Sequence, residues 1–465
     1  MKKIILSLFF ACITLFAVAQ GSLRLPAIIS NHAVMQQLSD VKLWGWASGS
    51  SSVKISCSWN PADTVYATPG KDWTWITTIK TPKSGGPYII TFISDKQKIV
   101  VNDILIGEVW LCSGQSNMEF DFKWGKVLDA PDAVDKSANN EIRFFQLSHQ
   151  YNNFPLTNSD GEWKVCTPET VVNMSVVGYF FGKKLNETTK APVGLIGSYW
   201  GGSCVQSWTP KEIFDKNKDL KKAADNLKPV NWSPVEPSVI YNAMIYPFLN
   251  YRIAGTIWYQ GEGNTEQPQE YGKLFTGLIQ GWREMFQQNL PFYYVQIAPW
   301  SGYGGLSGAL LREQQEVALT LPKTGMVIVG DLVNDLTDIH PKIKQEVSTR
   351  LANMVLKEQY GQSNLQPYFP RFANLKILKN KVIITVTSIG KLNCKDNSIK
   401  SFQLAGDDKI YYPATAIIEK NGSITLTSKL VKNPVAVRYC FTNDGVPNLF
   451  DVNGLPLIPF RTDKW

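Results

Sequence analysis

The sequence predicts an α/β protein whose mostly parallel sheet is covered by helices on both faces, with β-rich regions before and after it. Continuous apolar runs, such as residues 193–196 and 326–329, alternate with amphipathic stretches between residues 103 and 365. Such runs are typical of parallel strands buried on both faces. Short alternating runs separated by turn residues fill the rest of the chain. With 465 residues, 44% hydrophobic and 18% charged, the chain is long enough for two or three domains.

The first 19 residues have the pattern of a secretory signal peptide. Lys2-Lys3 supply positive charge, residues 4–18 are apolar, and Ala17-Val18-Ala19 is an A-x-A cleavage signal. The apolar run is shorter than the ~20 residues that a membrane-spanning helix needs. We therefore expect a mature chain that begins at Gln20, is secreted or periplasmic, and has no stable membrane insertion. Cys12 raises the alternative of a lipoprotein signal, which the residues before it fit poorly.

Charge and cysteine usage exclude several classes of partner and cofactor. The formal charge is +8, but no run of five basic residues concentrates it, so a nucleic-acid partner is not expected. The chain has only three histidines and no C-x-x-C pair, so neither a histidine-rich metal centre nor a zinc site is expected, and no cofactor is needed. Beyond the leader, the cysteines can pair in an oxidising compartment or remain buried thiols. They are Cys57, Cys112, Cys166, Cys204, Cys394 and Cys440.

Residues 20–102 are expected to form an N-terminal β-sandwich domain. Runs such as 41–46 and 88–92 alternate or are rich in β-branched residues. Turn-forming sequences at 49–52 and 83–87 separate such runs, and strands at this spacing favour a sandwich.

Residues 103–365 are expected to form the α/β domain. The strand candidates are 109–112, 193–196, 254–258, 292–297 and 326–329, and the amphipathic helix candidates are 271–286 and 343–356. In such domains ligands bind beyond the carboxyl ends of the strands, which is where functional residues are sought.

Residues 366–465 are expected to form a C-terminal β-rich domain. The runs 382–386 and 423–427 have the composition of strands, and Asn421-Gly422 is a strong hairpin turn signal.

A candidate nucleophile follows the first strand of the α/β region. Residues 107–118 read GEVWLCSGQSNM, so that a buried strand enters a turn at Gly114 and delivers Ser116 at its carboxyl end. A serine on a tight turn between strand and helix can expose its Oγ beside backbone N–H groups that stabilise an oxyanion. The match to G-x-S-x-G is incomplete, because Met118 stands where the last glycine would be. An ordinary polar turn is the alternative.

Three later segments of the same region add complementary chemistry. The glycines in 197–203 let a backbone loop approach a ligand closely, and the amides in 258–264 can donate to an oxyanion. Segment 335–341 places carboxylates near His340, as a general base requires. The other two histidines are poorer candidates: His32 lies in the N-terminal β-rich region, and His149 has no adjacent acid.

Together these motifs resemble the SGNH hydrolases, and specifically their sialate O-acetylesterase family. The matching blocks are SGQSNM at 113–118, GG at 201–202, WYQGE at 258–262 and DIHP at 338–341, with further matches at 241–245, 454–456 and 459–463. The resemblance spans nearly the whole mature chain. It implies a flavodoxin-like three-layer SGNH domain.

The resemblance also implies a serine esterase that acts through an acyl-enzyme. Ser116 is then the nucleophile and His340 the general base. The oxyanion is held by the Ser116 N–H, by the N–H of Gly201 or Gly202, and by a side-chain amide near residue 260. The candidates for that amide are Gln260 and Asn264.

The identity of the acid that orients His340 is left open by the sequence. The superfamily usually has an acid three residues before the histidine, where this chain has Thr337, while Asp338 and Asp335 stand two and five residues before it. Pro341 biases His340 toward an extended conformation, in which side chains two residues apart point the same way. Asp338 is therefore predicted as the acid, with Asp335 as the alternative.

The substrate implied by the resemblance is an O-acetylated sialic acid or sialoglycan. Glu262 is a candidate substrate-binding residue, and Arg312 can pair with the sialate carboxylate unless it pairs with a neighbouring acid. One alternative is an esterase for acetylxylan or another polysaccharide. Another is a non-catalytic sugar-binding protein, which an intact set of serine, histidine and acid disfavours.

Overall fold

The computed structural model describes residues 23–48, 51–225 and 228–465. The signal peptide predicted at 1–19 lies outside the described residues. In chain order the strands are β1 (Val34–Gln36), β2 (Asp40–Trp46), β3 (Val53–Cys57), β4 (Asn60–Ala67), β5 (Thr74–Lys80), β6 (Gly85–Ser94), β7 (Gln97–Gly114), β8 (Asn139–Gln146), β9 (Glu162–Cys166), β10 (Val193–Tyr199), β11 (Gly255–Tyr259), β12 (Phe292–Val295), β13 (Thr324–Val327), β14 (Arg371–Leu378), β15 (Lys381–Thr387), β16 (Asn393–Cys394), β17 (Phe402–Ala405), β18 (Tyr411–Pro413), β19 (Thr415–Ile418), β20 (Ile424–Thr427), β21 (Ala436–Tyr439), β22 (Leu449–Phe450) and β23 (Phe460–Arg461). The α-helices are α1 (Ser116–Glu119), α2 (Pro168–Val171), α3 (Val176–Thr189), α4 (Lys211–Lys216), α5 (Lys218–Ala224), α6 (Val239–Met244), α7 (Pro268–Phe286), α8 (Ser307–Gln315) and α9 (Gln345–Gln359).

The central sheet has the strand order β13-β12-β11-β7-β10-β8-β9. All neighbours along it are parallel except β8 and β9, which are antiparallel. Strands β10, β11 and β12 are buried along their whole length, as their continuous apolar sequences predict. The mostly parallel sheet predicted from the sequence is confirmed.

The helices between these strands pack in pairs: α3 lies against α9, and α7 against α8. Helix α7 begins with Pro268 at its first position, where a missing N–H removes no helical hydrogen bond. It ends at Phe286, and the next residue, Gln287, has a left-handed backbone (φ +53°) that caps the last turn. Helix α9 directly follows the loop that carries His340.

The N-terminal and C-terminal regions are β-rich, as predicted. In the N-terminal region β3 pairs with β4 and β6, and β2 and β5 form a separate two-stranded sheet. In the C-terminal region the four-stranded sheets β14-β15-β20-β19 and β18-β17-β21-β23 enclose their own hydrophobic core, which includes Leu404, Leu426 and Tyr439.

Strand β7 belongs to both the N-terminal region and the central sheet. Its first part pairs antiparallel with β6, and its last part lies between β10 and β11. One continuous hydrophobic core extends from the N-terminal strands into the α/β region. The boundary predicted between residues 102 and 103 therefore falls inside a shared strand, and the separation into two domains at that point stays a prediction.

The six cysteines among the described residues are free thiols, five of them buried. In the described ranges, no helix has both the length and the apolar character that crossing a bilayer requires.

Candidate active site

The turn that carries Ser116 is built on Gly114, the last residue of β7. Gly114 has φ +138°, and a Cβ on it would lie 2.2 Å from the carbonyl oxygen of Tyr259, so no other residue fits. The Gln115 N–H donates to that carbonyl at 2.9 Å. Helix α1 then begins at Ser116, whose N–H is among the first-turn donors that a helix leaves without an internal partner.

The Gln115 side chain ties this turn to the loop after β11. Its Oε1 accepts hydrogen bonds from the N–H groups of Gly261 at 3.1 Å and Gly263 at 3.0 Å. Sequence reasoning did not single out Gln115, although it stands inside the recognised SGQSNM block.

His340 lies in the loop between β13 and α9, and its nearest carboxylate is that of Asp338. The distance from His340 Nδ1 to Asp338 Oδ1 is 3.8 Å, and the same oxygen accepts the His340 backbone N–H at 2.9 Å. The Asp335 carboxylate is exposed and accepts the N–H and hydroxyl of Thr337. Of the two predicted acids, the structure therefore brings Asp338 to the imidazole.

Electrostatics favour a neutral imidazole. Burial lowers the pKa of His340 below its usual value, the positive charge of Lys344 lowers it further, and Asp338 opposes both. A neutral imidazole is the form that accepts a proton from a serine hydroxyl. The Trp124 ring packs against the imidazole at 5.1 Å between centroids.

Ser116 and His340 line one cleft, with a volume of about 570 Å³. The predicted residues Gly201, Gly202 and Glu262 line the same cleft. Among the described residues, no hydrogen bond joins Ser116 Oγ to the imidazole; catalytic hydrogen bonds are often long before a substrate binds. The other lining residues are Gln115, Trp124, Cys204, Lys228, Val230, Trp232, Val235, Gly263, Thr265, Glu266 and Ile339.

The two glycines differ in the availability of their N–H groups. The Gly201 N–H donates to Glu119 Oε2 at 2.5 Å, and the other oxygen of Glu119 lies 2.8 Å from His149 Nε2. The Gly202 N–H, by contrast, has no hydrogen-bond partner in the part of the chain that the structure describes. Glu119 was not singled out from the sequence, although it follows Ser116 by three residues and thus lies on the same side of the turn.

The two predicted amide side chains do not line the cleft. The buried Gln260 amide donates to the Ser203 carbonyl at 3.1 Å and to Asn264 Oδ1 at 2.8 Å. The Asn264 amide donates to Gln206 Oε1 at 2.9 Å. Both therefore hold neighbouring loops together, and an oxyanion role would require them to leave these partners.

Arg312 is also absent from the cleft. The guanidinium is buried and donates to the backbone carbonyls of Thr442 and Asn443, which joins α8 to the C-terminal region. In the described chain it does not form the local ion pair that the sequence offered as the alternative, since the neighbouring Glu313 pairs with Arg461. The sequence pattern alone does not show whether Arg312 lies at the surface or in this buried position.

A buried polar cluster behind Ser116 was not predicted. The Asn117 amide donates to Glu262 Oε1 at 2.7 Å and accepts from Lys344 Nζ at 2.7 Å. Burial lowers the pKa of Lys344 to about 7 although Glu262 opposes this, and burial raises the pKa of Glu262. The second carboxylate oxygen, Glu262 Oε2, is buried and has no partner among the described groups.

Comparison with known proteins gives matches of three kinds: a protein family, curated proteins and a solved structure. A family described as carbohydrate esterase, sialic acid-specific acetylesterase, matches residues 106–357. Human sialate O-acetylesterase is 27% identical over 463 residues, covering 90% of this chain and 87% of the human protein; the rat protein is 27% identical over 451 residues, with 82% of each chain covered. The crystal structure of a carbohydrate acetylesterase from Xanthomonas citri matches with a TM-score of 0.86 and 32% identity, covering 96% of this chain and 100% of that one.

Proposed function

The chain belongs to the sialic acid-specific acetylesterase family of carbohydrate esterases, and on that basis we propose that it removes O-acetyl groups from sialic acids with Ser116 as nucleophile. The observation that carries the proposal is that Ser116, at a helix N-terminus, shares one cleft with His340 and the Gly201-Gly202 turn. A nucleophile, a neutral base and backbone N–H donors are the groups that acyl transfer requires.

In the reaction, Ser116 Oγ attacks the acetyl carbonyl carbon while His340 takes its proton. The tetrahedral intermediate collapses as His340 gives that proton to the sugar oxygen, and the deacetylated sugar leaves an acetyl ester on Ser116. Water then attacks this ester and gives a proton to His340. Acetate leaves as the proton returns to Ser116. Asp338 stabilises the imidazolium in both steps, and its 3.8 Å distance to Nδ1 is one that can shorten as the ring gains charge.

The oxyanion is held by the N–H groups of Ser116 and Gly202. Glu119 binds the Gly201 N–H and thereby fixes the orientation of the Gly201-Gly202 turn. Gln260 and Asn264 support the loop after β11. Loss of one oxyanion donor typically costs ~3–4 kcal/mol of transition-state stabilisation.

The proposal includes the fold of the SGNH domain, which has a flavodoxin-like arrangement of three layers. The helix pairs α3–α9 and α7–α8, which flank a mostly parallel sheet, support it. With such layers, the carboxyl ends of β7, β10 and β11 bring Ser116, the glycine turn and Glu262 to one edge, where ligands of such sheets bind.

Features of the cleft suit a charged sugar. Trp124 and Trp232 line it with side chains 49% and 65% exposed, and exposed aromatic faces stack on sugar rings. Glu262 lines the cleft, and a carboxylate accepts hydrogen bonds from sugar hydroxyls. Lys228, at the same cleft, is available for the sialate carboxylate in the place predicted for Arg312.

We expect a higher kcat/KM on 9-O-acetylated sialic acid than on acetylated xylo-oligosaccharides, measured as acetate release. Lys228→Ala should lower kcat/KM for the sialic acid ester by up to about 5-fold, because an exposed ion pair contributes at most about 1 kcal/mol, and should leave the neutral esters unchanged. Lys211→Ala, which removes an exposed lysine on α4, is the control. Faster turnover of acetylated xylan would reassign the enzyme to polysaccharide deacetylation.

The mature enzyme acts in the periplasm or outside the cell. The proposal rests on the leader pattern of residues 1–19. Protein purified from the periplasm or medium should begin at Gln20 by N-terminal sequencing. A chain that still begins at Met1 in the cytosol would contradict it.

A further inference from the structure

Lys344 is a lysine with no exposed surface, located directly before α9. Its Nζ donates to Asn117 Oδ1 at 2.7 Å and lies over the faces of Phe120 at 4.8 Å and Tyr259 at 5.7 Å. Lys344 takes no part in the proton transfers of the proposed reaction. It nevertheless lies four residues after His340, at the end of the same loop, and in contact with the residue after Ser116.

Folding stability alone does not account for a lysine at this position. Burial of an ammonium group costs several kcal/mol, and a buried pair of opposite charges that is replaced as a whole by apolar side chains often loses no stability. The carboxylates of Glu262, Asp338 and Asp129 attract the ammonium, but none of them forms a hydrogen bond with its Nζ in the described structure. Asp129 instead accepts the Lys344 backbone N–H at 3.1 Å.

The lysine determines how the Asn117 amide is oriented. An ammonium only donates, so Asn117 Oδ1 faces Lys344 and the amide nitrogen faces the opposite side. There Nδ2 donates to Glu262 Oε1 at 2.7 Å and to the carbonyl oxygen of Ile339 at 3.1 Å. Since Asn117 follows Ser116 and Ile339 precedes His340, this amide is a direct bridge between the two catalytic segments.

We propose that Lys344 is a positioning residue of the esterase: by fixing the Asn117 amide, it holds Ser116 and His340 at the spacing that proton transfer between them requires. The inference rests on the proposed function, because it assigns Lys344 to the same reaction. Its charge has a second effect, since a cation near the imidazole disfavours the imidazolium. The charged groups around the imidazole are Asp338 and Lys342 on its own loop, Lys344 at the start of α9, and Glu262, Glu266 and Lys228 along the cleft.

Lys344→Met separates a positioning role from a purely structural one, because methionine fills similar space without a donor or charge. We expect kcat on 4-nitrophenyl acetate to fall by about 10- to 100-fold, since small misplacements of reacting groups have effects of that order. KM should change less than about twofold. The unfolding temperature should fall, because Asn117 Oδ1 loses its donor and the buried Glu262 loses its cationic neighbour. A purely structural role would lower that temperature and leave kcat of the folded enzyme unchanged. Loss of the cation raises the pKa of His340, so the acid limb of kcat/KM should move to higher pH. Lys357→Met, on the outer part of the same helix, is the control.

A second variant keeps the inference testable if Lys344→Met does not fold. Asn117→Asp retains an acceptor for Lys344 but removes the amide donor to both Ile339 and Glu262, so kcat should fall similarly in a folded protein. Where all variants fold, the double variant should be no slower than the slower single variant, because both act through one bridge. Unchanged kcat for either variant, or additive losses, would overturn the inference. Wild-type protein inactive on every acetyl ester would instead overturn the proposed function.

Discussion

Ser116→Ala should abolish acetate release from every acetyl ester that the wild-type protein hydrolyses. The comparable change in a serine protease costs on the order of 10⁶-fold in kcat, because removal of the nucleophile prevents formation of the acyl-enzyme. The fold should survive, since Ser116 Oγ forms no hydrogen bond within the described structure and alanine is favourable in a helix. The measurement is kcat on 4-nitrophenyl acetate, together with the thermal unfolding temperature.

Ser113→Ala is the matched control, because it removes the same group from the same strand-to-turn segment. Ser113 is fully buried on β7, and its Oγ is among the buried polar atoms without a partner. Removal of an unpaired buried hydroxyl costs little and can stabilise. We expect wild-type rates for this variant. If Ser113→Ala were inactive and Ser116→Ala active, the nucleophile would be misassigned.

The strand-to-turn segment also shows which parts of the structure the sequence predicts well. Continuous apolar runs predict β7, β10 and β11 because burial on both faces leaves that pattern in the chain. Gly114 predicts the turn because its backbone, with φ +138°, adopts a conformation that favours glycine. These are local requirements, and local requirements are visible in a sequence.

The sequence does not show which distant segments of the chain contact one another. Arg312 was predicted to bind a substrate carboxylate, but it donates to carbonyls about 130 residues further along the chain. The amides of Gln260 and Asn264 were expected at the oxyanion and are held by neighbouring loops. A polar residue type shows what a side chain can do, whereas tertiary packing decides which group it meets.

Lys344 is an intermediate case: the sequence shows that its position is unusual, but not which residues it contacts. It precedes an amphipathic helix and is in register with Val347, Leu351 and Val355, which are buried. A lysine on the apolar side of such a helix is unexpected, and an unexpected buried charge is a candidate for function. The sequence alone does not say which groups face it, since Asn117 lies 227 residues away.

Asp338→Asn should lower kcat by between about 10² and 10⁴, the upper value being the effect of the equivalent change in serine proteases. Asparagine cannot stabilise the imidazolium by charge. It can still accept the hydrogen bond from the His340 backbone N–H, which Asp338 now accepts at 2.9 Å. A loss below the upper value is expected, because Asp338 Oδ1 lies 3.8 Å from His340 Nδ1, beyond hydrogen-bond distance.

Asp335→Asn is the control and should keep nearly wild-type activity. Asp335 is exposed, hydrogen bonds from Thr337 lower its pKa, and asparagine can accept those same bonds. The two variants are compared by kcat at pH 7. A large loss only in Asp335→Asn would assign the orienting acid to Asp335, which would require the loop to refold around His340. Wild-type rates in both would mean that Ser116 and His340 work as a dyad, with the imidazole held by the packing of Trp124 and by the loop itself.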